Sequence, residues 1–394
     1  MFENELKKLQ SLYAKGLFSK KYYKDRIEGK SSFLTYEEFC KIPFMYKQSI
    51  RDTAVFERTN TDMKDVYGIF SSSGTTGDKT FYVYNKKDKE VHEEFVRSFF
   101  EELDITSDDL GGVMAPVGTG VMAHTMLWQF NTVGAGYINC PEPSPQNMID
   151  MINNVPITVI ATRPNIASSI AYFPELIKIA KKSKVSKLAL GGGFLSRERR
   201  KMIEEAWKAD CYNCFGMSEM FGPMAAECKR KNGLHYLDKY LMIELIDPVT
   251  KKHVKDGEPG IAVYTTLWEK GFPLLRYWTD DFMAIDRTPC ECGNLNPRLY
   301  YLGRIADSFI CNQGYVFPEQ VENILFESGL RGEYKVLLES GTYQVFSETN
   351  QKIEGNCALQ KLKHLFQTEN VNLIPVAIGV LNFSGFGRRF ETKR

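Results

Sequence analysis

Between Gly111 and Cys214 the chain repeats one pattern: a short apolar run, a turn, then a segment with helical spacing. The runs are "GGVMAPV", "GAGYINC", "ITVIAT", "KLALGGG" and the "CYNC" that leads into "FGMSE". Between them the spacing predicts helices near Thr125–Val133, Gln146–Ile152, Asn165–Lys182 and Ser196–Ala206. Strand–helix alternation of this kind implies a parallel α/β sheet. After Tyr212 the pattern changes. "YLMIELID", "GIAVYTTL" and "LLRYWTDDFMAID" are β-rich and separated by turn signals such as "KDGEPG", and the last ninety or so residues are mixed. The expected fold class is therefore α/β, with two parts. A large N-terminal domain, residues 1–303, carries parallel α/β sheets and a β-rich part from about residue 212. A small, mobile α+β C-terminal domain follows, residues 304–394.

Upstream, apolar positions from Glu3 to Tyr23 have helical spacing, and "SFLTYEEFCKIPFMYKQSIRD" reads as two short helices around a Pro-Phe turn. "DVYGIF" and "TFYVYN" read as strands flanking "FSSSGTTGDKT", and a helix is expected from about Lys87 to Leu103. With 394 residues the chain exceeds one ordinary core. A formal net charge of +1 argues against a nucleic-acid or membrane-surface partner. The start "MFENELKKLQ" carries charge where a signal peptide needs an apolar stretch, and no apolar run approaches the roughly 18 residues of a membrane span. Nine cysteines are an odd number for a disulfide frame, so they read as thiols or metal ligands. The expected compartment is the cytoplasm.

A loop of small residues lets backbone N–H groups and hydroxyls approach an anion closely, and phosphate is the commonest anion held this way. The stretch Ser71, Ser72, Ser73, Gly74, Thr75, Thr76, Gly77 with Lys79 suits that task, although it lacks the Walker spacing. A second group is Cys228, His235, Cys290 and Cys292. Two pairs of N/S ligands suit a closed tetrahedral Zn²⁺ site, and the alternative is ordinary loop thiols with a surface histidine. Cys211 and Cys214 have redox-motif spacing but sit in an expected buried strand and read as core.

Taken in order, "SSSGTTGDK", "YNCFGMSEM", "RYWTDDF" and "LGRIADSFICNQGYVFPEQVE" resemble the core motifs of the adenylate-forming superfamily. The finer resemblance is to phenylacetate-CoA ligases. It is carried by "KIPFMYKQSIRD", "FGMSEMFGPMAAEC", "GLHYLDKY", "PCECGNLNPRL" and "GYVFPEQVE", and spans about Leu6 to the C-terminus. The resemblance implies an acid–thiol ligase: ATP and a carboxylic acid give an acyl-adenylate and pyrophosphate, and a thiol then takes the acyl group. The thiol is that of coenzyme A or of the phosphopantetheine arm of an acyl or peptidyl carrier protein, with homodimerisation left open.

The same resemblance implies roles. The loop Ser71–Lys79 would hold the β- and γ-phosphates, Glu219 the Mg²⁺, and Ser218 the α-phosphate region. Gly191, Gly192, Gly193, Asn213, Phe215, Gly216 and Met217 would line the nucleotide, with Asp281 on the ribose and Arg304 reaching the nucleotide. Gly314 matches the glycine near the thiol tunnel. The acyl pocket is expected near His124 and Phe215, with Met122, Trp128 and Phe130 as apolar walls or as helix core. Two departures stand out. Arg388 replaces the lysine that bridges carboxylate and α-phosphate, and Ala306 replaces a charged hinge residue. Two other readings remain open: an acyl-protein synthetase that acylates a cysteine, and a degenerate member that binds nucleotide as a scaffold.

Overall fold

The computed structural model describes residues 2–27, 35–72, 79–115, 120–140, 142, 144–311, 314–349, 357–381 and 389–393. Ser73, Gly74, Thr75, Thr76, Gly77 and Arg388 lie outside the described residues. At the N-terminus stand α1 (Glu3–Ala14), α2 (Lys21–Ile27), α3 (Tyr36–Cys40) and α4 (Lys47–Arg51). The expected helix to Tyr23 is cut at Gly16, whose φ of 80° is left-handed, yet Leu17 and Tyr23 still reach the core. β1 (Val66–Ser71) and β2 (Phe81–Asn85) form an antiparallel hairpin. Asn85 then caps α5 (Lys86–Glu102) through a reciprocal box with Asp88.

Alternation follows as expected: β3 (Leu110–Met114), α6 (Val121–Asn131), β4 (Gly136–Cys140), α7 (Pro145–Asn154), β5 (Val159–Thr162), α8 (Pro164–Ser169), α9 (Pro174–Ala180), β6 (Lys187–Gly191), α10 (Arg197–Trp207) and β7 (Asp210–Met217). The single helix expected over Asn165–Lys182 is two. Pro174 forces the residue before it out of helical space, and Phe173 is extended. The β-rich part comprises β8 (Gly222–Glu227), β9 (Leu234–Tyr236), β10 (Leu241–Ile246), β11 (Gly260–Thr266), β12 (Tyr277–Asp286) and β13 (Arg298–Arg304).

These are not separate sheets. β7 turns back on β8 as an antiparallel pair, so one eleven-stranded sheet runs β10-β11-β12-β13-β9-β8-β7-β6-β5-β3-β4. From β7 to β4 it is parallel, and the rest is antiparallel. Cys211 and Cys214, three apart on β7, face opposite sides of the sheet and enter two different cores.

Beyond β13 the chain makes a short hairpin, β14 (Phe309–Cys311) and β15 (Gly314–Val316), then α11 (Pro318–Glu327), β16 (Tyr334–Glu339), β17 (Thr342–Glu348), α12 (Cys357–Phe366), β18 (Val371–Val376) and β19 (Phe390–Lys393). The last four strands form their own sheet, ordered β18-β17-β16-β19. A buried charge network ties this piece to α10. Arg199, fully buried, donates through Nε and Nη2 to both oxygens of Glu322, each at 2.9 Å, and through Nη1 to Glu333 at 2.7 Å and Ser168 at 3.0 Å. Arg389 meets Glu333 from the other side at 2.7 Å.

Candidate active site

The parallel strands end together, and in open α/β sheets ligands bind beyond those carboxyl ends. Here β6 delivers Gly191, Gly192 and Gly193, and β7 delivers Phe215, Met217 and the tight turn Ser218–Met220. Gly192 holds φ at 70°, and a side chain on Gly191 would press on the Cys214 carbonyl at 3.1 Å. Phe194, Tyr301 and Phe215 form an aromatic wall beside these glycines, with Phe215–Tyr301 centroids 5.2 Å apart and Phe194–Tyr301 6.4 Å. A planar base fits such a wall by stacking.

Glu219 is buried, 3% exposed. Its Oε1 accepts from the Tyr82 hydroxyl at 2.7 Å and the Tyr277 hydroxyl at 3.1 Å, and Lys47 Nζ stands 3.4 Å away. Burial alone would raise this carboxyl. Lys47 and the two hydroxyls outweigh it and hold Glu219 below the usual range. All three contacts fall on Oε1, so an anionic carboxylate is held rigidly with its other oxygen outside this network. That arrangement suits a hard cation such as Mg²⁺.

Asp281 and Asp280 separate cleanly. Asp280 is exposed, with φ at 64°, and accepts from Trp278 Nε1 at 2.7 Å. Asp281 is 2% exposed and faces Arg304 Nε at 3.3 Å across the β12–β13 pair. Beyond this ion pair Asp281 Oδ1 has no regular hydrogen bond, which leaves a buried acceptor able to take a hydroxyl. Burial pushes Asp281 up to about 6, opposed by Arg304 and reinforced by Glu219 and Asp280. Glu219, Asp281 and Arg304 thus belong to one electrostatic cluster.

Other expected residues fall elsewhere. Ser71 and Ser72 are buried at the end of β1, and the Ser72 hydroxyl accepts the Thr80 N–H at 3.1 Å. Lys79 stands just before β2. Asn213 lies within β7, paired with Leu190, and its N–H donates to Glu227 at 2.7 Å. The missing side chain of Gly216 is needed by the fold, because a Cβ there would sit 2.2 Å from the Gly222 carbonyl. Gly314, with φ at 120°, opens β15. Phe130 is no pocket wall: it is fully buried against Phe100, centroids 5.4 Å apart. Met122 likewise packs on that core. Trp128 instead joins a ring cluster with Tyr67, His92 and Phe221, and His124 Nε2 meets the Tyr67 hydroxyl at 3.2 Å.

Sequence reasoning passed over Lys47, Tyr82, Tyr277 and Tyr301. Lys47 and Tyr277 had a signal, since they stand inside "KIPFMYKQSIRD" and "RYWTDDF". Tyr82 and Tyr301 read as ordinary strand residues, and only the folded sheet brings them together.

The cysteine–histidine group does converge. The ligand atoms of Cys228, His235, Cys290 and Cys292 all lie within 4.8 Å of one another. Cys228 and Cys290 sulfurs are 3.9 Å apart, and Cys292 Sγ is 3.5 Å from His235 Nε2. Tetrahedral zinc, with Zn–S about 2.3 Å and Zn–N about 2.05 Å, requires edges of about 3.8 and about 3.6 Å. His235 Nδ1 faces the Asn296 carbonyl at 2.8 Å, which can only accept, so Nδ1 carries the proton and Nε2 presents its lone pair to the cluster. These residues fit zinc.

No sequence-family profile matches the chain. It is 28% identical to the phenylacetate-coenzyme A ligase of Thermus thermophilus over 340 residues, covering 82% of this chain and 74% of that enzyme. In fold it matches 2-hydroxyisobutyryl-CoA ligase in its postadenylation state at a TM-score of 0.81, with 18% identity over 99% of this chain and 89% of that one. Against the same ligase in its thioesterification state the TM-score is 0.67, with 21% identity over the same shares of the two chains. The O-succinylbenzoate coenzyme A synthetase of Bacillus subtilis, solved with ATP and magnesium, matches at 0.58, with 15% identity over 80% and 67%. In sequence the chain is similar to the phenylacetate-CoA ligases and in fold to adenylate-forming CoA ligases, and both likenesses support an acid–thiol ligase.

Proposed function

We propose that the protein activates an aromatic or otherwise apolar carboxylic acid with ATP and passes the acyl group to the thiol of coenzyme A, with a carrier-protein phosphopantetheine as the second acceptor. The observation that carries this reading is Glu219, a buried carboxylate kept ionised by Lys47 and two tyrosines at the mouth of the parallel sheet. In the first step a carboxylate oxygen of the acid attacks the α-phosphorus, and the bond to pyrophosphate breaks. Asp281 holds the ribose and the Phe194–Tyr301–Phe215 wall the adenine, which fixes the α-phosphorus for in-line attack. Glu219 would hold Mg²⁺, which spreads the charge gathering on the departing pyrophosphate. In the second step the thiolate attacks the acyl carbonyl, and the bond to AMP breaks.

Residues 304–394 act in this reading as a lid, with Arg388 as a cation for the first step and Gly314 near the thiol path. Arginine keeps the charge of the usual lysine but not its compact shape, and Lys47 supplies a second cation beside Glu219. Cys228, His235, Cys290 and Cys292 would hold a structural zinc, which would clamp the β8–β9 turn to the loop before β13. Among the described residues no helix is long and apolar enough to cross a membrane, and the cytoplasm is the proposed site of action. Pyrophosphate exchange tests the whole reading. Acid-dependent exchange into ATP with aryl acids, followed by AMP and thioester release once coenzyme A is added, is expected. Nucleotide binding without exchange across a broad acid panel would establish the binding-only scaffold instead.

A further inference from the structure

Phe221, the residue after the Glu219 turn, is held in left-handed backbone at φ 70°, a costly state for an aromatic residue that persists where the surroundings enforce it. Its ring is the hub of a box of six others: Tyr67, Phe70, Tyr84, His92, His124 and Trp128, all with centroids 4.4 to 6.5 Å from it. The box is graded. Tyr67, Phe70, His124 and Trp128 are partly exposed and form a mouth, whereas Tyr84 and His92 are buried and form a floor.

The floor is where the polar bookkeeping fails. Neither ring nitrogen of His92 makes a hydrogen bond, and the Tyr84 hydroxyl makes none. The Pro223 backbone acts on His92 and the Phe221 backbone on Tyr84 only as weak contacts, short of a regular hydrogen bond. Buried polar groups are nearly always paired, and one left unpaired is costly. Three buried polar atoms without a regular hydrogen bond, on two side chains that pack on one ring, can take a polar substituent of a ligand. Burial drives His92 down to about 3, so the imidazole is neutral and offers one donor and one acceptor. A hydroxyl offers the same pair. A charged substituent would lose its hydration here without a counter-ion, so the site favours a neutral one.

We propose that this aromatic box receives the acid, and that Tyr84 and His92 select an aromatic acid bearing a phenolic hydroxyl. This rests on the adenylation reading and adds the substrate class to it. The test is exchange with meta- and para-hydroxyphenylacetate against phenylacetate, and with the hydroxybenzoates against benzoate. In the wild type, at least one hydroxylated acid should exceed its parent in kcat/KM by about tenfold or more, because a site built for a hydroxyl leaves polar groups stranded when it is missing. Tyr84→Phe, which removes one oxygen, and His92→Phe should each pull that ratio toward one. Equal use of parent and hydroxylated acids by the wild type, or a ratio that survives both substitutions, overturns the proposal and leaves the floor to buried water. No exchange with any acid overturns the adenylation reading itself, a distinct result.

Discussion

Glu322→Gln should be the most damaging single conservative change between α10 and the C-terminal sheet. In the wild protein Glu322 is fully buried, receives two hydrogen bonds from Arg199 at 2.9 Å, and accepts the Ser196 hydroxyl at 2.5 Å. Glutamine keeps the shape and one acceptor but removes the charge and turns an NH₂ toward Arg199 or Ser196. Breaking a buried pair on one side costs about 3–5 kcal/mol, since the surviving charge stays buried. Glu333 still holds Nη1 of Arg199, so the low end, about 3 kcal/mol, is expected. With an unfolding entropy of about 2.1 cal/mol/K per residue, a chain that melts as one unit would lose about 4 °C. If residues 304–394 melt as their own unit, the same loss spread over about a quarter of the chain moves that first transition by roughly 15 °C. Scanning calorimetry reads both the size and the unit, and a double cycle with Arg199→Leu should show strong coupling. A loss below about 1 kcal/mol, or additive single changes, would refute the reasoning.

Acid sensitivity follows from the same network. Burial raises Glu333, but Arg199 and Arg389 outweigh it and hold it down to about 2. Its stabilisation is complete above the ordinary value of 4.5 and is lost as pH falls from there toward 2, which denaturation midpoints across that window will show. Zinc should co-purify at about one equivalent per chain and fall well below that in Cys290→Ser, by elemental analysis. Glu219→Gln should lower acid-dependent exchange by about 100-fold while its melting curve stays close to the wild type, because the tyrosine hydroxyls still find an acceptor.

The alternation of β3 to β7 with helices was written in the local periodicity. The break before Pro174 was passed over, although proline restricts the residue ahead of it. That β7 turns directly into β8 and fuses two sheets was not legible, because it depends on pairing between strands distant in sequence. Motif order pointed to Glu219 and Asp281, while Lys47, Tyr301 and the His92 floor come from α4, β13 and α5, elements far from either motif. The α6 segment "VMAHTMLWQF" is apolar on every side, so its spacing could not tell Trp128, which joins the aromatic box, from Phe130, which fills the core.

Formation of an acyl-adenylate leaves an atomic trace. Turnover of ATP with an accepted acid labelled with oxygen-18 in its carboxylate, in the presence of coenzyme A, should deliver one labelled oxygen to AMP. Unlabelled AMP, or ADP and phosphate as products, would contradict the account.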